Sequence, residues 1–78
     1  VLIPDNEPRN REVVKQIKKY IEEDYAVVLW PDNVKEKDIN DMIIAGKTRR
    51  QIKTIIDEHT YKGVRANLEF SKWSKTNV

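Results

Sequence analysis

Tyr25-Ala26-Val27-Val28-Leu29-Trp30, closed by Pro31-Asp32-Asn33, is the stretch on which the fold class turns. Six apolar residues in a row, β-branched at the centre and bounded by turn formers, predict a short strand buried on both faces; a helix would need a longer run. Upstream, Val1-Leu2-Ile3 is a second short apolar run, ending at Pro4-Asp5-Asn6. Between the two, Val13, Val14, Ile17, Tyr20 and Ile21 share one helical face, while Arg11, Lys15, Lys18, Lys19 and Glu22 share the other. A strand, an amphipathic helix and a strand within about 30 residues make a βαβ unit, whose strands are parallel and whose crossover is right-handed. The expectation is an α/β fold in which a parallel sheet is covered on both faces. Asp5 or Asn6 is expected to cap the helix, with Pro8 in its first turn.

Downstream, Asp38 is placed to cap a short helix through Ile39, Met42, Ile43 and Ile44, stopped by Gly46 at the position where a left-handed residue is wanted. Thr48 and Gln51 have capping-box spacing ahead of a second helix with Ile52, Ile55 and Ile56 on its apolar face; Gly63 is read as its end. Beyond it, Val64, Ala66, Leu68 and Phe70 alternate with Arg65, Asn67, Glu69 and Ser71, a period of two that predicts a C-terminal strand. Trp30 and Trp73 are read as packing residues, and the polar stretch from Ser74 to Val78 as a frayed tail.

Seventy-eight residues are enough for one domain. Residues 1–46 hold the βαβ unit, the loop after it and the short helix; residues 47–78 hold a basic helix and an extension. A start at Val1 with strand-like residues reads as a cut inside a longer chain. With no cysteine, disulfides and thiolate metal sites are excluded. No apolar run approaches the roughly 20 residues of a membrane span, so a cytoplasmic location without membrane contact is expected. The net charge of +2 is divided unevenly. Residues 1–46 carry 7 basic and 10 acidic groups, net −3, and residues 47–78 carry 8 and 3, net +5. An acidic front joined to a basic rear suits a metal site beside a phosphate-facing surface, and suits two ordinary solvated faces equally well.

Ligands of open α/β sheets sit beyond the carboxyl ends of the strands, and Asp5 and Glu7 lie there, one residue apart. Two carboxylates in that place can hold Mg²⁺, a hard cation that takes one or two protein carboxylates and completes its shell with water and phosphate. Taken alone, they are better explained as a helix cap and a partner for the positive end of the helix dipole. Lys37 and Asp38 follow the second strand on the same edge, where Lys37 could meet phosphate and Asp38 could reach a metal or cap its helix. Lys47, Arg49, Arg50 and Lys53 could track a nucleic-acid backbone or form a solvated helix face. The residues alone leave each pair of readings open.

Leu2-Ile3-Pro4-Asp5-Asn6-Glu7 resembles the strand ending in Asp-x-Asp that Toprim domains carry. Val28-Leu29-Trp30-Pro31, followed by Lys37-Asp38-Ile39-Asn40-Asp41, resembles the Leu-Pro strand end and the Lys-Asp-x-x-Asp/Glu stretch of Toprim DNA primases of the bacterial and tailed-phage type. Thr60-Tyr61-Lys62-Gly63 through Trp73 resembles the end of such phage proteins more loosely. The resemblance implies the carboxyl-terminal half of a Toprim-like, Rossmann-like parallel sheet. It implies a parent primase that makes RNA primers on single-stranded DNA from nucleoside triphosphates with Mg²⁺ or Mn²⁺, and a replicative helicase as a partner. Asp5 and Glu7 then stand as catalytic acids, Asp5, Glu7 and Asp38 as metal ligands, and Lys37 as a phosphate contact. Glu7 departs from the family's second Asp by one methylene, which would move a metal further from the strand. The family's earlier Glu has no counterpart here, so this chain alone is expected to be inactive.

Two rivals accompany that reading. One keeps the Toprim group and changes the chemistry to a nuclease or topoisomerase; Tyr20, Tyr25 and Tyr61 offer no recognisable context for a nucleophile. The other is a non-catalytic interaction domain whose acids only cap helices. An unpaired edge on the first strand would also allow self-association.

Overall fold

The computed structural model describes residues 1–77. Helix α1 runs Arg11–Glu22, strand β1 Val27–Val28, helix α2 Ile39–Ile44, helix α3 Arg49–Glu58, strand β2 Thr60–Tyr61 and helix α4 Gly63–Trp73. β1 is the axis of the molecule, and its alternation sorts the core into two layers. Val27 and Leu29 face α1 and α4, where they join Val14, Ile17, Ile21, Ala66 and Trp73. Val28 and Trp30 face the other way, toward Val34, Met42 and Ile52 of the α2–α3 layer. The continuous apolar run 25–30 is thus explained: each face of the strand meets helices. Both tryptophans are packing residues, 3% and 6% exposed.

The expected parallel sheet is reduced to a single bridge. The Leu2 N–H donates to the Ala26 carbonyl at 2.9 Å, and the Leu2 carbonyl accepts from the Val28 N–H at 3.0 Å. The next parallel rung would need an N–H from residue 4, which is proline and has none. Among the described residues the named two-stranded sheet is antiparallel, pairing Val27 with Tyr61 and Val28 with Thr60.

The first helix starts later than its sequence suggests. Asn10 is the cap, its side-chain oxygen accepting from the Glu12 and Val13 amides at 3.0 and 3.3 Å. Asp5 and Asn6 do not cap it, and Pro8 lies ahead of it in a turn closed by the Asn10 N–H on the Glu7 carbonyl. The helix ends in a Schellman motif: Tyr25 N–H to the Tyr20 carbonyl and Asp24 N–H to the Ile21 carbonyl, both 3.0 Å, with Asp24 in the left-handed region at φ 65°. The Tyr20 and Tyr25 rings meet edge to face at 6.1 Å, the apolar contact that accompanies this motif. α2 ends the same way on Gly46 at φ 105°, as its sequence predicts, and the Thr48–Gln51 capping box opens α3.

The largest correction is at the C-terminal segment, where a helix replaces the expected strand. Ala66, Phe70 and Trp73 recur at helical spacing and turn toward α1, whereas Val64 and Leu68 are left 86% and 57% exposed. The period-two pattern mixed one buried and one half-buried residue with two exposed ones, and Trp73, one turn beyond Phe70, decides the face. Nor does the segment after it fray as expected: the Lys75 N–H donates to the Pro8 carbonyl at 2.8 Å, and Arg11 donates to the Asn77 carbonyl at 3.4 Å. Val78 lies outside the described residues. Among the described residues no helix is long and apolar enough to cross a membrane.

Candidate functional site

Asn6 organises the site. Its amide N–H donates to the Lys37 carbonyl at 2.6 Å, and its side-chain nitrogen donates to the Val34 and Glu36 carbonyls at 3.0 and 3.1 Å. Its side-chain oxygen accepts from the Trp73 indole at 3.1 Å. Two residues back, the Pro4 carbonyl accepts from the Trp30 indole at 2.9 Å. The loop after the first extended segment is therefore stitched to the loop after β1, and the carboxylates of Asp5 and Glu7 flank the stitch. Asp5 is exposed and Glu7 half-buried. Asp5 also borders an open groove of about 440 Å³ between residues 2–5 and the Glu12, Gln16 and Tyr20 side of α1.

Lys37 has an exposed side chain on the stitched loop. Asp38 caps α2, one carboxylate oxygen accepting from the Asp41 N–H at 2.8 Å. The helix-cap alternative thus applies to Asp38 and not to Asp5. Lys47 is engaged with Glu36 at 2.8 Å, and its hydrogen bond and positive charge hold the Glu36 carboxyl below the usual carboxylate range. Arg49 and Arg50 lie exposed in the first turn of α3, which has no acidic residue. Lys53 pairs with Asp57 one turn on at 2.9 Å, which raises the ammonium pKa.

The structure thus brings the Asp5–Glu7 loop to the Lys37–Asp38 loop, while Lys47 and Lys53 each face an acid. Among the described residues no group of three His, Asp or Glu side chains is gathered as metal ligands. The donor set of Asp5 and Glu7 still fits Mg²⁺, which keeps several waters and needs only one or two carboxylates. Two features escaped the sequence: Asn6 as the hub, and a basic cleft lined by Arg9, Lys35 and Lys75. Asn between two acids reads locally as a turn former, and only tertiary pairing reveals that its backbone N–H and both side-chain polar atoms are used.

No family model matches the chain. Over 77 residues, 96% of its length, the chain is 34% identical to a DNA primase of Enterobacteria phage T4. That alignment takes in 22% of the phage protein, so the chain spans about a fifth of the length of the curated relative it matches. The chain is related in sequence to part of a phage DNA primase.

Proposed function

We propose that this chain is a Toprim-like part of a DNA primase, and that Asp5 and Glu7 are its metal-facing acids. The observation that carries the reading is the 2.6 Å bond from the Asn6 N–H to the Lys37 carbonyl, because it puts two carboxylates and an exposed ammonium on adjoining loops. The similarity to the T4 enzyme supports the same reading. Asp5 and Glu7 would hold Mg²⁺ or Mn²⁺, with Asp38 beside them through the carboxylate oxygen its cap leaves free. The metal would supply charge neutralisation at a transferring phosphoryl group. Lys37 and the α3 arginines Arg49 and Arg50 would neutralise phosphate, with Lys47 and Lys53 adding to that surface when their acid partners release them. Single-stranded DNA and nucleoside triphosphates would be the ligands, with a replicative helicase as the partner in replication.

Template-directed primer synthesis by the full-length protein tests this. Mg²⁺-dependent products that Asp5→Asn abolishes are expected; synthesis unaffected by Asp5→Asn and Glu7→Gln together would overturn the assignment. A second reading, a non-catalytic nucleic-acid-binding module, is favoured by Asp38 being engaged in capping and by the lack of a three-acid cluster among the described residues. It requires that millimolar Mg²⁺ leave the NMR signals of residues 5–7 and 37–38 unmoved.

A further inference from the structure

We infer that the cleft between Arg9, Lys35 and Lys75 is a phosphate-binding site, serving single-stranded nucleic acid or a nucleoside triphosphate. The cleft has a volume of about 260 Å³ and opens between the 6–9 loop, the turn after β1 and the segment after α4. Trp30 and Trp73 form part of its wall, and their indole N–H groups are already bonded to Pro4 and Asn6, so the wall is fixed. The three cations come from sequence positions far apart, and the fold gathers them at one opening.

Their electrostatics differ from those of the five basic residues that are held in ion pairs. Lys47, Lys53, Lys62, Arg65 and Lys72 each lie within 4.0 Å of a carboxylate, which weakens their pull on an outside anion. Arg9, Lys35 and Lys75 have no such ion pair among the described residues. The Lys35 ammonium instead donates to the Asp32 backbone carbonyl at 2.8 Å, and that of Lys75 to the Lys72 carbonyl at 3.4 Å. A carbonyl orients an ammonium and leaves its net charge and remaining donors available. Asp32 also lines the cleft, so the lining side chains carry three positive charges against one negative. Gathering like charges around one opening does not help a fold, whereas a phosphate there would receive several charge-assisted hydrogen bonds, direct or through water.

The cleft adjoins the acid loop: Asn6 lines it, and Asp5 and Glu7 flank Asn6 in sequence. It goes beyond the metal reading and stands without it, because phosphate binding here uses no carboxylate and needs no Mg²⁺. Binding is therefore measured in EDTA, on the full chain, with two probes: a mixed-sequence single-stranded DNA 12-mer and inorganic triphosphate. Trp30 and Trp73 are the only tryptophans, so intrinsic fluorescence and the two indole N–H signals report on the cleft wall.

Either probe should shift both signals, and the oligonucleotide responding alone assigns the cleft to nucleic-acid backbone, the triphosphate alone to a nucleotide. Arg9→Gln/Lys35→Gln/Lys75→Gln should weaken binding about tenfold or more at low salt, and should reduce the salt slope by roughly 2 if three single-strand phosphate contacts are lost. Lys15→Gln/Lys19→Gln, on the outer face of α1, should weaken it far less. Equal weakening by the α1 variant, or indole signals of the wild-type chain unmoved by both probes, overturns the proposal. Since no metal is present, a failed Mg²⁺ site leaves each of these outcomes readable.

Discussion

The indole N–H of Trp73 donates to the side-chain oxygen of Asn6 across 67 positions of sequence, at 3.1 Å. The same Asn6 side chain donates to two carbonyls of the loop after β1. Asn6→Asp keeps the shape and replaces the donor with oxygen facing those carbonyls. A loss of about 2–4 kcal/mol in urea unfolding is expected, since unsatisfied buried groups add to the lost bonds. Trp73→Phe, which removes the indole donor and part of a buried ring, should cost about 2–3 kcal/mol, and a double-mutant cycle with Asn6→Ala should show coupling.

Asp24 holds φ 65° at the end of α1, a conformation that glycine adopts at little cost. Asp24→Gly is expected to raise stability by up to about 1 kcal/mol, relief of the left-handed strain exceeding the added freedom of the unfolded chain. The Lys62 contact it removes is long, 3.7 Å, and exposed on both sides. A midpoint in urea lower than that of the wild type would show that this contact, not backbone strain, governs the site.

Glu36 is held below the ordinary carboxylate range chiefly by its hydrogen bond from Lys47 and then by the attraction of that charge. A carboxyl group whose pKa is lower in the folded state contributes stability that is fully present above its unfolded value. That contribution is lost as pH falls through the folded value. Thermal midpoints should therefore drop below about pH 4.5 more steeply in the wild type than in Lys47→Gln. Parallel acid limbs for the two proteins would remove this pair from the account.

Because α4 is a helix, Val64 and Ala66 should behave oppositely under substitution. Val64→Asp, at a position 86% exposed, should change stability by less than about 0.5 kcal/mol. Ala66→Leu, at a fully buried position against α1, should cost about 1–3 kcal/mol by overpacking. A strand would bury both residues on one face and make Val64→Asp severe.

Asp5 and Glu7 are the acids on which the metal reading stands. Asp5→Asn/Glu7→Gln should abolish any Mg²⁺-induced movement of amide signals in residues 5–7 while leaving the fold intact, because neither side chain caps α1. Mg²⁺ shifts of wild-type size in that variant would place the ion elsewhere.

Much of the fold is legible where one local rule governs. The 25–30 run, the α1 face, the Asp38 and Thr48 caps and the Gly46 stop all appear where the residues put them. The misreadings arise where tertiary contacts choose between locally equal options. Asn6 and Asn10 have the same cap chemistry, and Asn6 is drawn away by the carbonyls of residues 34 and 36. Residues 64–70 fit a period of two, and the decision came from Trp73 reaching Asn6. The parallel ladder was expected from the strand–helix–strand order, and one missing N–H at Pro4 stopped it. For the site, the nearness of Asp5, Glu7, Lys37 and Asp38 follows from two loops leaving one sheet edge. The Arg9–Lys35–Lys75 cleft had no such signal, because its members come from three separate turns and only the packed chain gathers them.

The bond from Trp73 to Asn6 also sets an order of events during synthesis. The acids are translated first and the residue that braces their loop is made nearly seventy codons later. A ribosome still holding α4 in its exit tunnel therefore displays Asp5 and Glu7 on a loop tied only to residues 30–37. Its last side-chain bond closes once the end of that helix has emerged.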